Sequence, residues 1–482
     1  MSTMEPLAVS ADNPRYFAPR SGDRRAVYLT GSHIWNNFHD GMGPAGHPPK
    51  NLDYGAYLDF LAARGHNFVR LWRWEQFRSQ AAGGAFELNM SPQPWPRTGP
   101  GTASDGAEKF DLSRFDPAYF RRLRARVEAA GERGVYVAVM LFDGWGLHLS
   151  PAPDNVEGHP CHAANNVNGI GITSILDHQV LPLDPAVQAL QEAYLRQVVD
   201  TVHDLPNVLY EVANESSGGG AVDAQMAAVL GIPADTEWGD STGWQYWVVE
   251  FVKEYERQRG YEPRPVGMTM QFPVPDQARV NAPLFDGPAD WISPGYDDEF
   301  FRDGAPASRW WLDPPAADGR KVLITDSDHV APGHADPLWV WKAFLRGHHP
   351  ILMDYGLIDG VAPAGEPSPG APPFAAFEPA RHAMGDTRRY TEEIHLIGMT
   401  PRGELSSTGY ALAEPGAEYL ILQPDGEAFT ATLASGTYAL AWHDVGSRST
   451  RTGDRVTVPD EKPVTFTPAT SGPAVLHLKR IP

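Results

Sequence analysis

Cysteine is almost absent from this sequence: Cys161 is the only one in 482 residues. A single thiol can form neither an internal disulfide nor a cysteine-based metal cluster, so both are excluded within the chain. Long apolar runs are also absent, and none approaches the ~20 residues that a membrane-spanning helix needs. The N-terminal segment has neither the basic start nor the apolar run of a signal peptide. Together these absences predict a cytoplasmic protein.

Basic residues are scarce relative to acidic ones, with 39 Lys and Arg against 60 Asp and Glu and a net charge of −21. Affinity for DNA and RNA comes mainly from Lys and Arg side chains that neutralise phosphates, and anionic membrane surfaces attract the same side chains. The composition therefore argues against nucleic-acid and membrane partners. Neutral molecules remain as candidate substrates.

Eight short β-type runs, nearly all apolar, alternate with amphipathic helical stretches between about residue 26 and residue 390. The runs are residues 26–30, 67–72, 135–142, 208–213, 266–270, 291–293, 322–325 and 351–353. Nearly continuous apolar strands are typical of a parallel sheet that is covered on both faces. Eight such units predict an α/β protein with a (β/α)8 TIM barrel. An open doubly wound sheet is the alternative, but no glycine-rich phosphate loop follows the first run.

The character of the sequence changes near residue 417, where short strand-like runs are separated by turns and no helical pattern intervenes. These runs are residues 419–422, 429–433, 437–442, 455–458 and 474–478. Such spacing is typical of a small antiparallel β-sandwich. The sequence therefore predicts two domains, a barrel over residues 1–400 and a C-terminal sandwich over residues 401–482.

Glu215 is the strongest candidate for chemistry, because it ends the apolar run that starts at Asn207. In a TIM barrel the working residues lie at the C-terminal ends of the strands. Period-two alternation places Glu215 on the same face as Glu211, at the mouth of the barrel, and the neighbouring Asn214 can hydrogen-bond a ligand hydroxyl. The structural alternative is that Glu215 caps a helix or pairs with a surface arginine. An apolar strand that stops at Asn-Glu before Ser-Ser-Gly-Gly-Gly favours the functional interpretation.

The segment Tyr-Glu-Val-Ala-Asn-Glu at residues 210–215 resembles the Asn-Glu signature of the clan A retaining glycoside hydrolases, which are (β/α)8 enzymes and include the cellulase-like families. Residues 67–72 resemble the second-strand segment of that clan, and residues 321–326 resemble the seventh. The resemblance implies that Glu215 is the acid/base, that Arg70 supports the nucleophile, and that Asp326 is the nucleophile or a general base. Residues 28–37, with the C-terminal sandwich, resemble the apiosidase-like branch.

The seventh strand departs from the pattern of the clan, since it offers Asp326 and Asp328 where the clan has glutamate. Aspartate is one methylene shorter. Retaining glycosidases hold their two carboxyl groups ~5–5.5 Å apart and inverting ones ~6.5–9.5 Å apart. The sequence therefore leaves open whether Asp326 or Asp328 is the second carboxylate, and whether the reaction retains or inverts, with retention favoured by the resemblance.

Several residues near the predicted strand ends are candidates for substrate binding. Indole rings stack on the apolar faces of sugars, although core packing explains a buried tryptophan equally well. By the resemblance, the tyrosine after the sixth strand contacts the nucleophile. Two histidines could bond substrate hydroxyls or the carboxylates. The candidates are Trp35, Trp72, Trp74, Trp145, Tyr296, His33 and His329.

A metal-dependent barrel hydrolase is a competing hypothesis, because five histidines lie near predicted loops: His33, His39, His148, His329 and His334. Such an enzyme needs a His-x-His pair on the first strand, and the sequence has none there. No metal and no cofactor are therefore predicted. Another rival is a carbohydrate-binding barrel that has lost its second carboxylate.

The sequence thus predicts a glycosidase that cleaves a small neutral glycoside or oligosaccharide, acts from the chain end, and retains the anomeric configuration in preference to inverting it. A cytoplasmic location favours this choice, since polymers do not enter cells. The C-terminal domain could bind sugar, act as a lid or mediate homo-oligomerisation, and the sequence does not distinguish these roles.

Overall fold

The computed structural model describes residues 4–22, 24–49, 51–81, 86–148, 156–219, 239–272, 280–295, 308–357, 374–468 and 470–481. Eight parallel strands form one sheet that nearly closes on itself, which confirms the predicted α/β barrel. In chain order they are β1 Gly31–His33, β2 Phe68–Leu71, β3 Tyr136–Asp143, β4 Val208–Asn214, β5 Val266–Thr269, β6 Trp291–Ser293, β7 Val322–Asp326 and β8 His349–Met353. Their spatial order is β1-β8-β7-β6-β5-β4-β3-β2.

The seam between β1 and β2 is closed partly by side chains. The Asn67 backbone N–H donates to the Thr30 carbonyl over 3.0 Å, and the Asn67 side-chain oxygen accepts the Thr30 N–H over 2.9 Å. The His66 ring nitrogen Nδ1 accepts the Ser32 N–H in the same way. The side chains thus satisfy backbone groups that a regular ladder would pair.

The first barrel strand lies at Gly31–His33 and not at residues 26–30, where the apolar run predicted it. Residues 26–30 instead run beneath the barrel, where Val27 bridges antiparallel to Phe17. The N-terminal hairpin, Leu7–Val9 paired with Phe17–Pro19, closes this end of the barrel. Its Leu7 and Phe17 pack into one buried cluster with inward-facing barrel residues such as Trp291.

Helices follow most of the barrel strands, and aspartate caps five of the described ones. Asp53, Asp116, Asp184, Asp326 and Asp336 each accept a backbone N–H at the first turn. Proline follows Asp116, Asp184 and Asp336, as expected at helix N-termini. The α-helices are Tyr54–Ala63, Pro117–Gly131, Trp145–His148, Leu176–Gln179, Pro185–Val202, Thr242–Arg259, Ala282–Asp286, Arg309–Leu312, Ser327–Val330, Pro337–Leu345 and Phe374–Glu393. Short 3-10 helices cover Leu396–Gly398 and Gly403–Leu405. None of the described helices is both long and apolar enough to span a membrane.

Two small antiparallel sheets, which sequence periodicity did not predict, lie in the loops of the barrel. One pairs Phe86–Ser91 with Asp40–Pro44 and Ser79–Ala81, and the other pairs Arg97–Thr102 with Glu108–Phe110. Both follow β1 or β2, so they extend the C-terminal end of the barrel.

The C-terminal part consists of two antiparallel sheets around its own core. The larger sheet has the order Thr400–Pro401, Ala411–Glu414, Glu418–Gln423, Ala474–Ile481, Gly436–Asp444 and Thr450–Thr452, and Val456–Val458 also pairs with Gly436–Asp444. The smaller sheet pairs Phe429–Leu433 with Lys462–Phe466. Tyr419, Phe429 and Tyr438 belong to the core between them. This arrangement is the antiparallel sandwich that the turn-separated runs predicted.

The sandwich packs on the last two barrel helices. Arg448 donates to the Asp386 carboxylate through Nε at 2.7 Å and through Nη2 at 3.1 Å. Beside this ion pair, the His443 ring lies 5.4 Å from Trp341 and 5.6 Å from Tyr390. The contact is therefore partly aromatic and partly ionic.

Candidate active site

Arg70 is the centre of a buried network at the C-terminal end of the barrel. Its guanidinium donates to Glu211 Oε2 at 2.9 Å, to Asp326 Oδ2 at 2.7 Å and to Asn214 Oδ1 at 2.6 Å. Glu211 and Asn214 come from β4 and Asp326 ends β7, so one side chain of β2 connects the two sides of the barrel. The structure thus brings together Arg70 and Asp326, as the resemblance implied. Glu211 was not singled out from the sequence, although a charged residue in an otherwise apolar strand is a signal for it.

Asp326 is fully enclosed by donors. Its Oδ2 lies 2.7 Å from Arg70 and 2.6 Å from His33 Nε2, and its Oδ1 accepts the Asp328 backbone N–H over 3.1 Å. The last bond caps the helical turn Ser327–Val330. Burial alone would raise the pKa of Asp326, but His33 and the Arg70 guanidinium more than offset it and hold the pKa well below its usual value. Asp326 is therefore ionised at neutral pH.

Glu215 follows β4 with a backbone φ of 51°, in the left-handed region that side chains other than glycine rarely adopt. The Thr269 hydroxyl holds this turn, since it accepts the Glu215 N–H over 3.0 Å and donates to the Ala213 carbonyl over 2.9 Å. Among the described residues other than glycine, only Arg448 also has a positive φ. Local strain of this kind, roughly 1–3 kcal/mol, is common at functional sites.

The carboxyl group of Glu215 is only 4 % exposed. Burial raises its pKa well above the usual value, and repulsion by Asp328 and then Asp326 raises it further, while Arg70 opposes the shift. The surroundings of Glu215 therefore favour its protonated form. A protonated carboxyl beside an ionised one is the pairing that acid catalysis on a glycosidic bond needs.

Asp328 lies on the helical turn after β7 and is 8 % exposed. Its Oδ1 accepts the Tyr355 hydroxyl over 2.6 Å. Burial, followed by repulsion from Asp326, raises the pKa of Asp328 to about 7. Tyr355 follows β8, and no pattern in the sequence indicates that its hydroxyl reaches Asp328.

His329 joins the network from the same turn. Its Nδ1 lies 2.8 Å from Ser293 Oγ, and its Nε2 lies 3.2 Å from Asn214 Oδ1 and 3.5 Å from Glu215 Oε1. The amide oxygen can only accept, so the proton sits on Nε2 and the Ser293 hydroxyl donates to Nδ1. Burial lowers the pKa of His329 to about 3, which keeps the ring neutral.

Asn214 is oriented by the same bonds. Its Oδ1 accepts from both Arg70 Nη2 and His329, so the carbonyl side of the amide is turned into the network. The Nδ2–H2 group is left as a donor, and the predicted role of Asn214 in binding a ligand hydroxyl stays a prediction.

The tryptophans predicted as stacking platforms form a buried wall beside the network. The Trp72 ring lies 6.0 Å from His33 in a stacked arrangement, and Trp35 contacts both Trp72 and Trp74 at 6.4 Å. All three are at most 4 % exposed, so most of their surface packs against protein. The Trp72 indole nitrogen has no hydrogen-bond partner among the described residues.

The two remaining aromatic candidates do not add to this wall. Trp145 lies apart from it, half-buried against Phe272 at 6.4 Å. Tyr296 lies outside the described residues, and its predicted contact with the nucleophile stays a prediction.

The histidines considered for a metal site are dispersed. His33 and His329 belong to the Arg70 network, His39 packs against Phe38 and Tyr119, and His334 is exposed. Within the described ranges, one cluster of three groups could hold an ion: Glu75, His159 and His178, from the loops after β2 and β3. Separations of 84 and 103 residues from Glu75 give no spacing signature, so the sequence could not reveal this cluster.

The tautomers in this second cluster do not fit a cation. Each imidazole points Nε2 at Glu75 Oε2, from 3.2 Å for His159 and 3.0 Å for His178. The Cys161 backbone N–H donates to His159 Nδ1, and the Gln191 amide nitrogen approaches His178 Nδ1. Nδ1 is thus the acceptor in both rings and Nε2 carries the proton, whereas a ligand needs a free Nε2 lone pair. The neighbouring cation of Arg73, 3.5 Å from Glu75, disfavours an ion further.

One Gly-x-Ser-x-Gly segment occurs at residues 239–243, the pattern of nucleophilic serine hydrolases. Its Ser241 is fully buried at the start of the helix Thr242–Arg259. The Ser241 hydroxyl donates to the Ser217 carbonyl and accepts from the Gln245 amide. Both bonds of this hydroxyl are therefore structural, and no histidine of the described part of the chain is bonded to it.

The comparisons with known proteins place the fold among glycoside hydrolases. The chain is similar to a solved structure described as a glycoside hydrolase, with 12% identity over 99% of this chain and 97% of that one and a TM-score of 0.58. It is also similar to a glycoside hydrolase family 5 protein from Bacteroides vulgatus ATCC 8482, with 13% identity, coverage of 98% and 92%, and a TM-score of 0.57. No family profile and no curated protein matches the sequence. At this identity the likeness concerns the fold, and it confirms the barrel that the resemblance implied.

Proposed function

We propose that this protein is a glycoside hydrolase that cleaves small neutral glycosides or oligosaccharides. The observation that carries the proposal is that the end of β4 and the end of β7 each bring a buried carboxyl group to the same end of the barrel, with the pKa of Glu215 raised and that of Asp326 lowered. Two carboxyl groups with opposite protonation are what hydrolysis of a glycosidic bond requires. The fold shared with glycoside hydrolases supports the same conclusion.

Glu215 is the general acid in this proposal. It donates its proton to the leaving oxygen as the glycosidic bond breaks, and an aspartate after β7 attacks the anomeric carbon. Glu215 then removes a proton from water, which attacks the same carbon and releases the sugar with its configuration retained. The resemblance to clan A supports retention, and inversion is the alternative. In this proposal Asn214 and His33 bond sugar hydroxyls.

Burial of the carboxyl groups supports action from the chain end, because a sugar must enter deeply to reach a Glu215 that is 4 % exposed. The negative charge of the chain, −21 in total, supports a neutral substrate. The cytoplasmic location and the association of identical chains stay predictions.

The test is a proton NMR time course with a panel of small glycosides, for the wild type and for Glu215→Gln. We expect Glu215→Gln to lower kcat by about 10²–10⁴-fold, because the amide cannot donate the proton that the leaving group needs. The first anomer released by the wild type distinguishes retention from inversion.

The matched control is Glu192→Gln, a surface residue whose partner is Arg196 in the same helix. Its activity should equal that of the wild type. Unchanged cleavage by Glu215→Gln would contradict the proposal. A wild type that cleaves nothing but shows saturation transfer to a sugar would instead support the carbohydrate-binding alternative.

A further inference from the structure

The two aspartates after β7 have very different surroundings. Asp326 is completely buried, and both of its oxygens are occupied: Oδ2 by Arg70 and His33, Oδ1 by the Asp328 N–H. A carboxylate that is completely buried and held by these contacts would lose strong charge-assisted interactions if it moved towards a ligand. The Asp326 carboxylate is thus held in one position by its partners.

Asp328 is the more accessible of the two, at 8 % exposed against 0 % for Asp326. Only Oδ1 is bonded, to the Tyr355 hydroxyl. Oδ2 has no hydrogen-bond partner among the described residues and is absent from their fully buried, unsatisfied atoms. One oxygen of Asp328 is therefore unbonded by the described residues and keeps some solvent exposure at the end of the barrel.

We propose that Asp328, and not Asp326, is the carboxylate that acts with Glu215 on the sugar, and that Asp326 is a positioning residue. The inference rests on the proposed glycoside hydrolase function, since it names the second reacting group of the same site. Asp326 carries out its role by holding Arg70 on one side and the helical turn that bears Asp328 on the other.

The turn Ser327–Val330 is fixed from several sides, which gives Asp328 a defined direction. Asp326 caps its N-terminus, and the Ser327 hydroxyl accepts the Met353 N–H over 3.0 Å. His329 is pinned by Ser293 and Asn214. Asp328 lies between these anchored neighbours, so its carboxylate is preorganised without being engaged by them.

Electrostatics agree with this geometry. Among the charged neighbours that raise the pKa of Glu215, Asp328 has the larger effect and Asp326 a smaller one. Because Coulomb interactions weaken with distance, this order agrees with Asp328 as the carboxylate that acts with Glu215. One proton on Glu215 and one negative charge on Asp328 form the reactive state.

In the proposed reaction, an Asp328 oxygen forms a bond to the anomeric carbon while the bond from that carbon to the leaving oxygen breaks. The leaving oxygen takes the Glu215 proton. Water then gives a proton to Glu215 and its oxygen to the anomeric carbon, which restores the Asp328 carboxylate. No oxidant, metal or other reactant is needed.

The test compares Asp328→Ala with Asp326→Ala on the best substrate of the glycoside panel, with and without azide. We expect Asp328→Ala to lose turnover on the order of 10³-fold or more, and azide to restore part of it by forming a glycosyl azide, because a small anion fits the vacated space. Asp326→Ala should also lose activity, but azide should not restore it, since the loss arises from a displaced Arg70. Circular dichroism checks that each variant is folded.

Rescue of Asp326→Ala and not of Asp328→Ala would overturn the inference, and so would full activity of Asp328→Ala. Should Asp326→Ala fail to fold, Asp326→Ser takes its place under the same criteria, since serine also caps a helix and is smaller than aspartate. If the wild type cleaves no glycoside at all, the proposed function fails and the inference with it. If the wild type cleaves a glycoside and Asp328→Ala cleaves it equally well, the proposed function stands and only the inference about Asp328 is wrong.

A second measurement is the pH dependence of kcat/KM. Since the pKa of Asp328 is raised to about 7, activity should fall as the pH drops through about 7, when the attacking group becomes protonated. Attack by Asp326 would instead keep the acid side flat to far lower pH, because its pKa is lowered. The apparent pKa of this acid limb is a property of the interacting carboxyl groups together.

Tyr355→Phe should move this acid limb to higher pH, because the Tyr355 hydroxyl stabilises the ionised form of Asp328. Tyr246→Phe is the control, since the Tyr246 hydroxyl donates to the Pro283 carbonyl away from the network. An acid limb that is identical in wild type and Tyr355→Phe would speak against Asp328.

Discussion

Replacement of Arg70 by methionine should lower the free energy of unfolding by about 3–5 kcal/mol and remove turnover in the molecules that still fold. The guanidinium is fully buried and is the cationic partner of both Glu211 and Asp326. Without it, two carboxylates remain in a low-dielectric interior with no opposite charge of comparable strength. Urea unfolding followed by tryptophan fluorescence measures the first effect, and kcat per folded molecule the second.

Arg381→Met is the matched control for Arg70→Met. Arg381 is buried as completely and forms a two-point ion pair with Asp354 at 2.7 and 2.6 Å, on the outer side of β8. The two variants should lose comparable stability, but Arg381→Met should keep its kcat. The triple variant Arg70→Met, Glu211→Gln, Asp326→Asn should recover stability without recovering activity. If it recovers both, Arg70 has no role in the reaction.

The second large effect is expected from the replacement of Glu75 by glutamine, which should lower the stability of the folded protein. Its Oε1 accepts the Asp143 backbone N–H over 2.8 Å, and its Oε2 lies against two imidazole nitrogens and Arg73. Glutamine would present N–H donors to one of these donor groups and leave Arg73 without its carboxylate. We expect the free energy of unfolding to fall by about 3–5 kcal/mol in urea titrations.

The pH dependence of the Glu75 effect checks its origin. Burial opposes ionisation, but Arg73 and the two histidines lower the pKa of Glu75 well below 4.5, its unfolded value. Its stabilisation is therefore complete above pH ~4.5 and is lost as the pH falls towards the folded pKa. The difference between wild type and Glu75→Gln should shrink in that acid range.

A surface pair provides the control for Glu75→Gln. Asp204 and Arg124 form an exposed ion pair at 2.8 Å, so Asp204→Asn should change stability by ~1 kcal/mol or less. If Glu75→Gln is no less stable than Asp204→Asn, the interpretation that Glu75 stabilises the fold through its buried partners is wrong.

Much of the barrel could be predicted because its strands are buried on both faces and appear as continuous apolar runs. The prediction was wrong at β1. The apolar run at residues 26–30 is buried beneath the barrel, and the strand itself is Gly31–His33, which has no apolar pattern. Burial, and not strand pairing, produces such a run. The small loop sheets escaped prediction for the converse reason, since strands such as Arg97–Thr102 are largely exposed.

The site was predictable where chemistry is tied to strand ends and not where it depends on tertiary contact. Asn214, Glu215 and the β7 aspartates follow apolar strands, so topology alone brings them together. Tyr355 reaches Asp328 only through the register of β8, and Glu75 meets His159 and His178 through loops of unrelated length. Local sequence carries no record of such contacts.

The position of β1 in the sheet also constrains the order in which the protein can assemble during synthesis. Its ladder partner is β8, and the Leu29 N–H just before it donates to His349, 320 residues later in the chain. At ~5–20 residues per second the ribosome needs roughly 16–64 s to supply that partner. During this interval β1 lacks its ladder partner, so the barrel can close only after nearly the whole chain has been made. Until then, the nascent N-terminal third depends on chaperones or on its own helices to stay soluble.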